Sequence, residues 1–279
     1  MTKETKKRLN KKKLTLFLLV IFGILVFVIS GCNNKKTTDN TQGTMKNVDM
    51  LNLGVSPKYS VVVEDVIYFG SVKGYLARPE EKGDFPGVVM IHEWWGLNDN
   101  IKEVARHLAS QGYIVLAVDL YGEVATDANR ARELVSSLDQ QEAIENMRSA
   151  KRYLQDNFNV PKVASLGWCF GGRQSLQFAL SERLDATVIY YGNLVSDKEV
   201  LSFISWPVLG IFGSLDTSIP VSSVKDFESA LNSLSIENEI YIYDGVGHAF
   251  ANPSGMNFAP EQTKDAWSKT LLFLEKNLK

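Results

Sequence analysis

The chain has 279 residues with 45% hydrophobic and 10% aromatic content, which excludes a wholly disordered polymer. It holds 30 Lys+Arg against 32 Asp+Glu, but seven of the basic residues and one acid crowd the first 13 positions, leaving 23 against 31, a net of about −8, beyond them. An acidic body repels phosphate backbones, so general nucleic-acid binding is excluded.

In chain order, the basic stretch ends at Lys13 and residues 14–30 run 17 positions without a charge. That length is at the short limit for a membrane-spanning helix. The order basic, apolar, small is also that of a secretory signal. The run ends Ile29-Ser30-Gly31-Cys32, which resembles the lipobox of bacterial lipoproteins. The resemblance implies cleavage after Gly31, lipidation of the Cys32 thiol, and an exported protein anchored by lipid to the outer face of a bacterial membrane. Residues 32–58 are polar and small, and read as the lipidated cysteine followed by a flexible tether. Its 26 residues after Cys32 would span about 28 Å as a coil. Residues 59–279 form one globular domain. With Cys32 acylated, Cys169 is the single remaining cysteine and no internal disulfide is possible.

Eight β-rich runs follow, at 60–69, 74–78, 87–92, 114–119, 162–166, 186–191, 208–212 and 239–243. Helical periodicity fills most of the gaps, at 101–110, 128–156, 221–234 and 261–278. The runs GVVMI, YIVLAV and PVLGIF are continuously apolar, which suits strands covered on both faces. Alternating strand and helix predicts an α/β fold with a doubly wound, mostly parallel sheet and helices on both faces. The first two runs are close enough to pair as an antiparallel edge hairpin.

The chemistry concentrates in three loops. Gly167-Trp168-Cys169-Phe170-Gly171 follows a strand and precedes a helix. Small residues two before and two after a nucleophile allow the sharp turn that lifts its side chain above the sheet edge. Cys169 here takes the place serine holds in G-x-S-x-G. Asp216 stands just beyond a later strand, and His248 lies in a Gly-flanked loop after the last one. Nucleophile, acid, histidine is the chain order of the α/β-hydrolase fold. Of the other histidines, His107 falls in the amphipathic run VARHLA and reads as helix-surface or half-buried, and His92 ends a strand where it packs or orients a loop. No His, Cys and carboxylate group has metal-ligand spacing, so neither metal nor cofactor is expected.

These pieces, with His92-Glu93-Trp94-Trp95-Gly96-Leu97-Asn98, Asp119-Leu120-Tyr121, Tyr190-Tyr191-Gly192 and Gly247-His248-Ala249-Phe250, make the chain resemble the dienelactone hydrolase family from about residue 61 to 278. The resemblance implies the α/β-hydrolase fold, with Cys169 as nucleophile, His248 as base and Asp216 as the acid orienting it. Backbone N–H groups of Phe170 and Trp94 would form the oxyanion hole. Glu93 would be an auxiliary acid touching the resting thiol and released as substrate binds. The family's two substrate-holding arginines would fall at positions occupied here by Glu123 and Asn252, which argues against a carboxylate-bearing dienelactone. Trp94, Trp95 and Trp168 suggest an aromatic pocket instead. The expectation is a hydrolase of small carboxylic esters or lactones acting through an acyl-thiol intermediate. The alternatives are a thioesterase or amidase with the same triad, or a ligand-binding lipoprotein without turnover.

Overall fold

The computed structural model describes residues 52–279, so the leader, Cys32 and nearly all of the tether lie outside it. Eight strands form one sheet: β1 (Val61–Phe69), β2 (Val72–Pro79), β3 (Gly87–Ile91), β4 (Ile114–Val118), β5 (Val163–Trp168), β6 (Ala186–Tyr190), β7 (Val208–Gly213) and β8 (Asn238–Tyr243). Their spatial order is β1-β2-β4-β3-β5-β6-β7-β8. β1 and β2 form the antiparallel edge hairpin, β2 pairs antiparallel with β4, and every later pairing is parallel. This is the α/β-hydrolase fold. All eight strands lie where the apolar runs predict them, with ends shifted by a residue or two.

The helices are α1 (Asp99–Ala109), α2 (Ala128–Ser137), α3 (Gln140–Phe158), α4 (Phe170–Ala179), α5 (Lys198–Leu201), α6 (Val221–Ser233) and α7 (Pro260–Leu278). Every residue of β3 through β7 is buried, because both faces are covered. Successive residues serve opposite layers, as a strand's period of two requires. Val88 and Met90 join Ile101, Leu108, Trp267 and Leu274 of α1 and α7. Val89 and Ile91 face Met147, Leu154, Leu176 and Phe227 of α3, α4 and α6.

Two expectations need correction, those for residues 128–156 and for His107, and two further features stand beside them. The single helix over 128–156 is two, because Leu138 is extended and Asp139 caps α3 by accepting from the Glu142 N–H at 2.9 Å. Asp139-x-x-Glu142 is a capping-box pattern inside an otherwise continuous periodicity. The four-residue α5, capped by Asp197, is too short to show a period. Packing begins before residue 59: Leu53 is buried in the core, and the N–H groups of Lys58 and Tyr59 both donate to the Ser110 carbonyl. Finally, His107 is neither surface nor half-exposed but buried, its ring edge-on to Trp267 at 5.6 Å.

Burial pushes His107 down to about 4. The folded protein therefore resists a proton that the unfolded chain accepts below about 6.5. Stability from this group is complete above pH 6.5 and falls as pH drops toward 4. Urea unfolding at pH 6.5 and pH 5 should show His107→Gln losing about 2 kcal/mol less than wild type across that interval.

Candidate active site

Strands β3 through β8 run in one direction, so the loops after them collect at one edge of the sheet, where open α/β folds place their ligands. Cys169 sits between β5 and α4 with φ 56 and ψ −115, a conformation rare for a residue with a side chain. Flanking glycines are required. A Cβ on Gly167 would come within 2.1 Å of the Gly171 carbonyl oxygen, and one on Gly171 within 2.4 Å of the Ile91 and His92 carbonyl oxygens. The turn is held by the Cys169 N–H donating to the Tyr190 carbonyl at 2.9 Å.

The three candidate side chains meet although they are far apart in sequence. His248 Nε2 lies 3.1 Å from Cys169 Sγ, and His248 Nδ1 donates to Asp216 Oδ2 at 2.7 Å. Asp216 has a fully buried side chain, and its other oxygen accepts from the N–H groups of Ser218 at 2.8 Å and Ile219 at 3.0 Å. Both loops are stitched: the Gly245 N–H donates to Ser214 Oγ, and Asn257 holds the His248 carbonyl. Burial opposes charge on His248, but its hydrogen bonds to Asp216 and Cys169 outweigh this and raise it to about 10. Burial likewise opposes ionisation of Asp216, and His248 with the two backbone donors outweighs it, holding the carboxyl below its ordinary value. The arrangement can take a proton from sulfur and stabilise the resulting imidazolium.

Phe170 opens α4, where helix N–H groups lack intrahelical partners, and Trp94 follows β3 across the cleft. Among the hydrogen bonds of the described residues, neither N–H has a backbone acceptor. His92 is buried and braces this loop: its Nδ1 donates to the Glu93 carbonyl at 2.6 Å, and its Nε2 accepts from the Leu120 N–H at 3.2 Å. It thereby ties the loop after β3 to the loop after β4.

Glu93 departs from expectation. Its carboxyl accepts from Asn252 Nδ2 and, at 3.5 Å, from the Tyr191 hydroxyl, while the thiol faces His248 instead. Asn252 Oδ1 accepts from the Ser254 N–H at 2.9 Å and Asn100 Nδ2 at 3.3 Å, so the amide is fixed with its donor end toward Glu93. Burial raises Glu93 to about 7, against the charge of His248 and the bonds from Asn252 and Tyr191. Tyr191 also sets its ring 5.3 Å from His248, a contact that the Tyr190-Tyr191-Gly192 motif does not reveal. Glu123 is half-exposed and paired with Arg130, which also bonds Glu133, so the one guanidinium is shared between two carboxylates. Trp168 is core rather than pocket, its ring tilted against Tyr190 at 5.4 Å, whereas Trp94 and Trp95 are half-buried. The exposed Arg132 lies over the Trp94 ring at 6.0 Å. A cavity of about 290 Å³ lies beside Leu120, Tyr121 and Leu138 and is lined by neither Cys169 nor His248. No group of three or more His, Cys or carboxylate side chains among the described residues is arranged to hold a metal ion.

A model of the dienelactone hydrolase family matches residues 72–278. The chain belongs to the dienelactone hydrolase family. It is 30% identical over 258 residues to a Saccharolobus solfataricus protein named "Putative carboxymethylenebutenolidase", covering 77% of this chain and 99% of that one. A Yersinia pestis protein of the same name is 32% identical over 216 residues, covering 71% and 80%. Among solved structures, a dienelactone hydrolase-like promiscuous phosphotriesterase from metagenomic libraries superposes with a TM-score of 0.71 at 25% identity, over 78% of this chain and 99% of that one. An acylaminoacyl peptidase of Pyrococcus horikoshii, at 15% identity and a TM-score of 0.64 over 80% of this chain and 42% of that one, shares the fold. This dienelactone hydrolase family member is therefore a hydrolase.

Proposed function

We propose that this family member hydrolyses small carboxylic esters or lactones through an acyl-thiol intermediate on Cys169. The observation that carries the reading is the unbroken series Sγ to Nε2 at 3.1 Å and Nδ1 to Oδ2 at 2.7 Å. His248 takes the thiol proton as sulfur attacks the acyl carbon. The carbonyl oxygen gains charge toward the Phe170 and Trp94 N–H groups, each such donor being worth on the order of 10²–10³ in rate. His248, now protonated, gives its proton to the leaving alcohol as the C–O bond breaks. It then activates water, whose attack releases the acid and restores the thiol. Asp216 holds the imidazole in the correct tautomer throughout.

Neutral esters are the preferred substrates, because Asn252 is committed to Glu93 and Arg130 to two carboxylates. A second reading, a carboxylate-bearing lactone, is favoured by Arg132 above Trp94. Comparing kcat/KM for a neutral aryl ester, a carboxylated lactone, an aryl thioester and an anilide decides among these. The account expects the ester or a neutral lactone to lead, and a leading anilide or thioester would replace it with the amidase or thioesterase alternative.

The same proposal places the domain at a membrane, on the strength of the basic-apolar-Cys32 leader. Stable anchoring needs two or more acyl chains, where one is marginal. Cys32→Ala should therefore move the expressed protein out of the membrane fraction or leave its leader uncleaved. Unmodified Cys32 in wild-type protein purified from the membrane would contradict lipidation.

A further inference from the structure

Tyr121 carries a hydroxyl that is buried and has no hydrogen-bond partner among the described residues. Buried hydroxyls are normally paired, and an orphan beside a reaction centre calls for a reason. A phenylalanine would fill the same space without that cost. The ring is set among the groups that frame the acyl site. It lies 5.2 Å from the ring of Phe170 and 4.7 Å from His92, and with Trp94 and Trp95 it packs on Ala125, Ala131 and Leu134. Tyr121 thus lies against Phe170, which bears one candidate oxyanion N–H, and shares a small apolar cluster with Trp94, which bears the other. Its loop is pinned at both ends: the Tyr121 N–H donates to Asp119 Oδ1 at 3.0 Å, and the Ala125 N–H donates to the Trp95 carbonyl at 2.8 Å.

We propose that the Tyr121 hydroxyl is a third hydrogen-bond donor to the reacting carbonyl oxygen, completing an oxyanion site whose other donors are the Phe170 and Trp94 N–H groups. The inference rests on the reading of Cys169 as nucleophile. As the Sγ–C bond forms, the C=O π electrons move onto oxygen, and the O–H turns toward that charge while its proton stays on the phenol. Burial, and next the charge of Cys169, push the phenol well above its ordinary value, which keeps it a neutral donor throughout. The acyl group enters between the Tyr121 and Trp94 rings, and that entry uncovers the hydroxyl. A donor left unpaired in the resting cleft and paired only as charge develops is the differential binding that lowers a barrier.

The test is Tyr121→Phe, with wild type and Cys169→Ala alongside. Tyr121→Phe should lower kcat about 10- to 100-fold with KM within about threefold of wild type. Its thermal midpoint should be unchanged or higher, since the lost hydroxyl bonds nothing. An aldehyde analogue of the acyl group, which adds reversibly to a thiol to give a tetrahedral hemithioacetal, should bind the variant more weakly by a factor tracking the loss in kcat. A kcat within twofold of wild type, or a loss accompanied by a lower midpoint and undiminished aldehyde affinity, would overturn the proposal. If wild type gives a Cys169 adduct and Tyr121→Phe behaves like wild type, the nucleophile stands and only the tyrosine's role falls. If wild type gives no adduct, the nucleophile reading fails first.

Discussion

Replacing Cys169 by alanine is expected to lower kcat on a neutral aryl ester by about 10⁴-fold or more, while the far-ultraviolet spectrum and unfolding midpoint stay close to wild type. Among the described residues, the partner of His248 Nε2 is this sulfur, at 3.1 Å. The fold loses little, because the thiol is only partly buried and the turn depends on backbone bonds and on Gly167 and Gly171 rather than on the side chain. Cys169→Gly sharpens the argument. At φ 56 a residue with a Cβ is strained, so glycine should raise stability by about 1 kcal/mol while also abolishing turnover. A position that gains stability as it loses activity is one kept for its chemistry.

The second large effect is expected at Asp216. Asp216→Asn preserves size and can still bond to His248, but it removes the charge that favours imidazolium and permits the wrong tautomer. Turnover should fall about 10²–10⁴-fold with little change in KM. The sign of the pH effect follows from the shifts. His248 is raised to about 10 by its partners, so without the carboxylate its imidazolium becomes a stronger acid and deprotonates at lower pH. Asp216 is itself held below its ordinary value by His248, so the carboxyl contributes stability above its unfolded value and loses it as pH falls through the folded one, whereas the share from His248 is lost as pH rises through about 10. Pre-steady-state kinetics would show the loss in acylation, and a variant with unchanged acylation would mean that another group orients the histidine.

The sheet was legible because its signal is local. Runs such as GVVMI and IVLAV are apolar at every position, and only strands covered on both faces bury such runs completely. The elbow was legible for a similar reason, since Gly167 and Gly171 are both forced by backbone contacts within a few residues of Cys169 or on the adjacent strand. Asp216 and His248 stand out as candidates from their order along the chain and their loop settings, with the family resemblance implying their roles.

What escaped the sequence depends on partners distant along it. The direction of Glu93 is set by Asn252, 159 positions away, whose own orientation needs Asn100 and Ser254. Nothing local to Glu93 distinguishes that bond from a contact with the thiol. Trp168 alternates to the face of β5 that packs under Tyr190, so a tryptophan next to the nucleophile is core, whereas Trp94, on a loop, is not. His107 belongs to a run whose polar neighbours suggest a surface, yet it lies on the side of α1 that meets Trp267. The orphaned Tyr121 hydroxyl is visible only once all of its neighbours are placed.

The most direct measurement of the central claim is rapid-quench intact-mass spectrometry during turnover of a slowly deacylated aryl ester, followed by peptide mapping of the modified protein. The account predicts a transient mass increase equal to the acyl group, located on the peptide containing Cys169, absent from Cys169→Ala and formed more slowly in Asp216→Asn. Steady hydrolysis by Cys169→Ala at the wild-type rate, or an acyl group mapped to any other residue, would contradict it.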